Sequence, residues 1–293
     1  MSLTTRKRLR EMLASGKTAW SAGAFDAVSA KLIEEAGFDV MLSSGFAISA
    51  SHLGEPDVEL YTMTENLAVV RNMVRATSIP LIADVDTGYG NAINVMRTVR
   101  EFEQAGVAAV IIEDQAVPKR CPAIADVLEL VTVEEGEAKI RAAVAARTDP
   151  DLVIVARTDA GTEEETIARA KRYAAAGADM IQPISRGFTD FDSLKRLRDA
   201  AGVPLSLQIM RWLETDLTPD QIEEVAGIAH YPLVALLTAT DAMRRNLAAV
   251  RAARSTRINL PVGQTPLGDF KTFIGFDRVM ELQAQFLTGT EPR

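Results

Sequence analysis

The chain reads as an α/β protein, a (β/α)8 TIM barrel, on three observations. Eight short apolar runs rich in Val, Ile and Leu recur along it, segments of helical period separate them, and Ala-Gly pairs punctuate the helix ends. Continuous apolar strands covered by helices describe a parallel sheet buried on both faces. Eight such units at this spacing match a closed barrel better than an open sheet.

In order, the runs are Thr18–Asp26, Phe38–Gly45, Pro80–Asp86, Ala108–Asp114, Leu152–Asp159, Met180–Ser185, Pro204–Met210 and Ile228–Leu237. Helical stretches between them include Asn91–Ala105, Val133–Ala146, Glu163–Ala176 and Thr218–Ala226. Glycine closes helices at Ala36-Gly37, Ala105-Gly106, Ala176-Gly177 and Ala201-Gly202, because it tolerates the left-handed conformation a helix end needs. No composition break precedes Arg254, so residues 1–254 are expected to form the catalytic barrel. The remainder, 255–293, holds Pro261, Pro266 and a last helix around Phe270–Phe286. It is expected to be an arm that packs on the barrel or on a neighbouring subunit.

With 293 residues, 47% of them hydrophobic, the chain can bury a large core, and 25% charged residues argue against disorder. A net charge of -8 offers no footprint for nucleic acid or an anionic membrane. An anionic substrate needs only local positive charge, so it stays compatible with that balance. No apolar run approaches the roughly 20 residues that span a bilayer. The N-terminal MSLTTRKRLREML becomes an amphipathic helix without the apolar stretch of a secretory leader. One cysteine, Cys121, excludes an intrachain disulfide and suits a reducing compartment, so the expected location is cytoplasmic.

Functional side chains of a barrel sit at the C-terminal ends of its strands, and polar residues collect there in this sequence. The third run ends in Asp84, Asp86, Thr87 and Gly88; the fourth in Glu113, Asp114 and Gln115; the fifth in Arg157, Thr158 and Asp159. Residues two apart on a strand share a face, so Asp84 and Asp86 can converge. Clustered carboxylates without His or thiolate partners favour a hard ion held through oxygen and water, for which Mg²⁺ is the usual choice. Any single strand-end Asp serves equally well as a helix cap or loop ion pair. Acids or arginine in register at several strand ends weigh against that reading.

The ordered segments Ser43-Ser44-Gly45, Gly54-Glu55-Pro56-Asp57, Asp84-Val85-Asp86-Thr87-Gly88-Tyr89-Gly90, Glu113-Asp114-Gln115, Pro118-Lys119-Arg120-Cys121 and Ala156-Arg157-Thr158-Asp159 resemble the isocitrate lyase/phosphoenolpyruvate mutase superfamily. The likeness covers about residues 5–250. It implies a barrel with Mg²⁺ at its mouth and a last helix exchanged between subunits of a homo-oligomer, a dimer or a homotetramer. It also implies Asp84, Asp86 and Glu113 as the metal site. Ser43, Ser44 and Gly45 match a loop that binds substrate oxygens through backbone N–H groups, Arg157 matches a substrate clamp, and Asp57 a site-loop aspartate. Lys119 and Cys121 fall in what resembles a gating loop, with the cysteine as proton donor or acceptor at the carbon being cleaved. An inert buried thiol is the bland alternative for Cys121.

Four departures bear on the substrate. Pro122-Ala123 stands where the lyases have Gly-His; no glutamate occurs near Ile184; Gln208 replaces an asparagine; and Val234–Thr238 lacks an arginine. Each removes a polar partner for a tricarboxylate, which points to a smaller acid. His230 lies where a relative that decarboxylates oxaloacetate carries a histidine; it is either a substrate contact or a hydrogen-bonded structural residue. His52 is expected in solvent. The resulting expectation is a Mg²⁺-dependent C–C lyase of a small 2-hydroxy or 2-oxo dicarboxylic acid, of the 2-methylisocitrate lyase kind. Oxaloacetate decarboxylation, phosphonopyruvate-type rearrangement and a silent binding barrel are the alternatives.

Overall fold

The computed structural model describes residues 4–122 and 127–287, apart from the side chain of residue 185. Residues Met1–Leu237 form one compact unit and Thr238–Arg293 a second.

In the first unit eight parallel strands close into a barrel in sequential order. They are β1 (Ala19–Ala24), β2 (Val40–Ser43), β3 (Leu81–Asp84), β4 (Ala109–Glu113), β5 (Val153–Thr158), β6 (Met180–Pro183), β7 (Leu205–Gln208) and β8 (Ala226–Tyr231). β8 pairs with β1 through Ser21 opposite His230, which leaves the sheet without an edge. Alternation along each strand divides two apolar clusters. Val40, Leu42, Ile82, Ile111, Val153, Val155, Met180 and Ile228 fill the interior, and Leu9 from the N-terminal helix Thr5–Ala14 joins them. Met41, Ala83, Val110, Ile154, Ile181 and Leu207 face outward into the packing against the helices.

The glycine punctuation holds. Gly37, Gly106, Gly177 and Gly202 all adopt positive φ at helix ends. The helix at Ala92–Ala105 is capped by Asn91, whose side chain accepts from the backbone N–H groups of Ile93 and Asn94. Helix Val133–Ala146 has its expected bounds. The eighth run differs. Its strand stops at Tyr231 because Pro232 has no N–H to extend the ladder, and Val234 opens a 20-residue helix reaching Ala253. The apolar stretch Val234–Leu237, read as strand, is therefore the first turn of a helix.

That helix carries on into the second unit, whose other helices are Leu267–Ile274 and Phe276–Phe286. The last helix expected over Phe270–Phe286 is thus two, divided at Gly275, where a φ of 93° ends one helix before the next begins. None of the three helices contains a buried residue. No helix among the described residues is long and apolar enough to cross a membrane.

Barrel closure depends on one close approach. A Cβ on Gly23 would fall 2.0 Å from the carbonyl oxygen of Pro232, a backbone atom that cannot swing aside. Gly23→Ala is expected to cost at least about 2 kcal/mol, a fall of roughly 4–8 °C in melting temperature by calorimetry. An unchanged melting temperature would show that the β1–β8 seam is not held this tightly.

Candidate active site at the barrel mouth

The strand ends bring together Asp84 from β3, Glu113 from β4 and Arg157 from β5, with Asp86 two residues beyond β3. All are buried, Asp86 completely and Arg157 to 9% exposure. The turn that carries Asp86 is strained: Asp86 and Tyr89 have φ of 50° and 61°, a left-handed region unusual for such residues. Asn66 holds the turn in place by donating to the Asp84 carbonyl at 2.9 Å and to the Tyr89 hydroxyl at 2.8 Å.

Lys119 enters this cluster from the segment after β4. Its ammonium lies 2.9 Å from Asp57 Oδ1 and also pairs with Asp86. Burial works against that charge, but Asp86, Glu113, Asp57 and Asp84 overcome it and hold the lysine protonated well above its ordinary range. Arg157 behaves alike: its burial is outweighed by Asp159 and Glu113. Asp159 takes a fork of two hydrogen bonds from Arg157, each 2.8 Å, and Glu113 Oε2 lies 2.8 Å from Nη1. On the acidic side, burial raises Asp57 and Glu113, and burial reinforced by Asp86 raises Asp84 to about 6.

A cavity of about 160 Å³ opens over the cluster, lined by Ser44, Asp57, Asp84, Cys121 and Arg157 among others. Its remaining wall includes Phe46, Ile184, Met210 and Leu233, together with Arg186 and Arg211. Gly45 lies close by: a Cβ there would meet Tyr61 Oη at 2.8 Å and Asp84 Oδ2 at 3.1 Å, so a larger residue would push the hydroxyl and the carboxylate aside.

Several expected contributors take other positions. The Ser44 N–H is bonded to the Ala24 carbonyl at 3.0 Å, which removes it from the set of donors expected to face substrate oxygens. Its hydroxyl caps the short helix Gly45–Ile48, accepting from Ala47. Ser43 shares the outward face of β2 with Met41, and its hydroxyl accepts from the Asp84 N–H, so it supports Asp84 from behind. His230 is fully buried among the inward positions of β8 and is absent from the cavity lining. His52 is exposed. Ala123, one of the sequence departures, lies outside the described residues.

Sequence reading passed over Glu59. This half-buried residue accepts from Thr87 Oγ1 and, at 2.9 Å, from the Lys119 backbone N–H, which ties the Lys119 segment to the β3 turn. Gln115 does similar work: its Oε1 accepts from the Arg120 N–H and its Nε2 donates to Asp159. Neither role has a local signature, since each joins segments far apart in sequence. Arg120 itself pairs with Glu129, so both cations beside Cys121 are engaged by carboxylates, while the thiol, 4% exposed, faces the cavity.

The donors present suit a hard cation. Asp86 Oδ2 and Glu113 Oε1 are buried carboxylate oxygens without a hydrogen-bond partner. Among the described residues no three such groups form a ready cage. Mg²⁺ keeps several waters and takes one or two carboxylates directly, so its site does not require such a cage. Asp84 and Asp86 would hold it, with Glu113 reaching it through water.

The raised carboxylate has a consequence for stability. The Asp84 value of about 6 exceeds its ordinary 3.8, so between the two the metal-free fold binds more protons than the unfolded chain. Stability of the metal-free protein should therefore decline as pH rises from about 4 to about 6. Asp84→Asn is expected to make that decline shallower in urea titrations with chelator present, leaving the part owed to Asp57 and Glu113. An undiminished slope in the variant would place the proton elsewhere.

Residues 9–255 match the family model for phosphoenolpyruvate phosphomutase. Over 292 residues the chain is 38% identical to a 2,3-dimethylmalate lyase from Eubacterium barkeri, covering 98% of this chain and 100% of that relative. Over 204 residues it is 43% identical to oxaloacetate decarboxylase 1 from Pseudomonas fluorescens (strain Pf0-1), 69% of each chain. Among solved structures, a phosphonopyruvate hydrolase complex with oxalate and Mg²⁺ superposes with a TM-score of 0.88 at 34% identity, covering 98% of this chain and 100% of that one. These relatives support an enzyme, a lyase acting on small carboxylates. By the extent of the match and the barrel beneath it, the chain belongs to the phosphoenolpyruvate mutase/isocitrate lyase superfamily.

Proposed function

We propose that the chain is a Mg²⁺-dependent lyase that cleaves a C–C bond of a small 2-hydroxy or 2-oxo dicarboxylic acid. The observation that carries this reading is the convergence on one cavity of a carboxylate cluster, a buried arginine and a cysteine thiol. Asp84, Asp86 and Glu113 would hold the ion, which when bound supplies positive charge against the negative charge that develops on a substrate oxygen. Arg157 sits where it can face a substrate carboxylate, and its ties to Asp159 and Glu113 fix its plane. The Gly45 N–H, beside Asp84, supplies a further donor for the developing oxyanion. Cys121 returns a proton to the carbon at which the bond breaks. Packing of Lys119 into the acidic cluster closes its segment over the cavity and excludes water.

Pro183 and Ile184 put an apolar wall where a carboxylate would serve a tricarboxylate, so a dicarboxylate with small alkyl groups suits the space. The same wall admits a second reading, decarboxylation of oxaloacetate, which needs the metal site but fewer recognition groups. Steady-state assays with Mg²⁺ against 2,3-dimethylmalate, 2-methylisocitrate, oxaloacetate and phosphonopyruvate separate these. Turnover of an alkyl-substituted malate is expected, abolished by chelator and by Asp84→Ala. Full activity of Asp84→Ala would sink the assignment. Cys121→Ser is expected to lower C–C cleavage by about 10²–10⁴. If only oxaloacetate turns over and Cys121→Ser is unimpaired, the decarboxylase reading replaces the lyase.

We also read the segment 255–293 as an arm that packs on a second copy in a homo-oligomeric, cytoplasmic enzyme. Support comes from its exposed apolar side chains, Phe270, Ile274, Phe276, Val279, Met280 and Phe286, too many for a face left in water. Sedimentation velocity should give a mass at least twice the 31.7 kDa of one chain. A monomer at micromolar concentration would contradict this.

A further inference from the structure

We propose that Gln182, held by Ser206 and His230, is a substrate-binding residue that donates an amide N–H to a carboxylate oxygen of the substrate. This rests on the lyase reading above and names a recognition group for it.

Three inward side chains on adjacent strands form a polar chain that begins beside Arg157. Ser206 Oγ lies 2.9 Å from Gln182 Oε1 and 2.9 Å from His230 Nε2. Ser206 is paired with Ile228 in the β7–β8 register, Gln182 lies two residues beyond Met180, and His230 two beyond Ile228. Met180 and Ile228 belong to the apolar interior cluster, so Gln182 and His230 sit directly above a dry layer. All three are essentially inaccessible, Gln182 at 1% and the others at 0%. Leucines would fill such positions without any polar penalty, so a polar triad here calls for a use.

The proton count shows which way the glutamine faces. Burial lowers His230 to about 3, so its ring is neutral and carries one N–H. Ser206 has one proton to give. If His230 Nε2 donates to Ser206 and Ser206 donates to Gln182 Oε1, the ring is left with a bare Nδ1, which has no partner. The reverse chain would instead bury an orphaned N–H at Nδ1, and orphaned buried donors are the rarer and costlier kind. The favoured chain fixes the carbonyl end of Gln182 toward Ser206. Its Nε2 accordingly has no protein acceptor among the described residues, and Gln182 lines the cavity.

Arg157 explains why a second donor is needed. It stands opposite Gln182 in the β5–β6 register. All three of its guanidinium nitrogens already face protein carboxylates, Nε and Nη2 on Asp159 and Nη1 by Glu113. A substrate carboxylate at the cavity floor finds only the remaining N–H groups of Arg157 there. The Gln182 amide completes its coordination without adding charge to an already crowded cluster. Gln182 is thus the contact, and Ser206 and His230 are positioning residues.

Titration calorimetry of oxalate onto the full chain with saturating Mg²⁺ tests this. Gln182→Leu is expected to weaken oxalate by about 10–100-fold, the range for a hydrogen bond to a charged group. Gln182→Glu, which keeps the Ser206 bond and sets a carboxylate against the ligand, should weaken it at least as far. Ser206→Ala should weaken binding less than Gln182→Leu, and Ser206→Thr, which restores the hydroxyl, should recover it. On the turned-over acid the same variants should raise KM more than they lower kcat. Wild-type affinity in Gln182→Leu or Gln182→Glu overturns the contact, and equal losses in Ser206→Ala and Ser206→Thr overturn the positioning role. Wild-type protein that fails to bind oxalate with Mg²⁺ would sink the lyase reading and this inference together. Tight wild-type binding with indifferent variants would sink this inference alone.

Discussion

Five buried carboxylates at one barrel mouth, Asp159 among them, are held together by two buried cations, and the rest of the site follows from that balance. Asp57, Asp84, Asp86 and Glu113 repel one another, and desolvation of an ion costs several kcal/mol even after relaxation. Lys119 and Arg157 offset that cost by direct pairing. Removing one partner from such an arrangement leaves an uncompensated buried charge, a much larger penalty than a surface pair ever carries. The raised Asp84 and the orphaned oxygens of Asp86 and Glu113 show that two cations do not fully satisfy the cluster. A divalent ion would complete it.

The balance also couples the site to its cover. Lys119 lies on the segment that brings Cys121 to the cavity, so the ion pairs that neutralise the acids also seat the thiol. Glu59 and Gln115 reinforce this by binding the backbone at Lys119 and Arg120.

Much of this was legible in residue order. Apolar runs ending in Asp84, Glu113 and Arg157 announce both the barrel and its functional rim, because strand ends are where a barrel presents side chains. The Arg157–Asp159 pair follows from two-residue alternation, and the helix-ending glycines from their conformational freedom. The eighth strand misled by running apolar residues from β8 straight into a helix, and periodicity in so short a stretch does not separate the two. Ser43 misled because pleat parity turns it outward, while His230, left open between two roles, is the hydrogen-bonded structural one, withdrawn by its depth in the barrel.

What residue order determined by itself is local and periodic: which segments are strands or helices, which ends carry charge, and which ligand chemistry those charges favour. Hydrophobic alternation and glycine geometry act over a few residues, so they are written in the chain. Tertiary structure alone decided which distant groups meet. The grip of Lys119 on Asp57 and Asp86, the tether from Glu59, and the Gln182–Ser206–His230 chain each join strands or loops tens of residues apart. Only closure of the barrel converts that separation into contact, because strand register, and not sequence distance, sets which inward side chains share a layer.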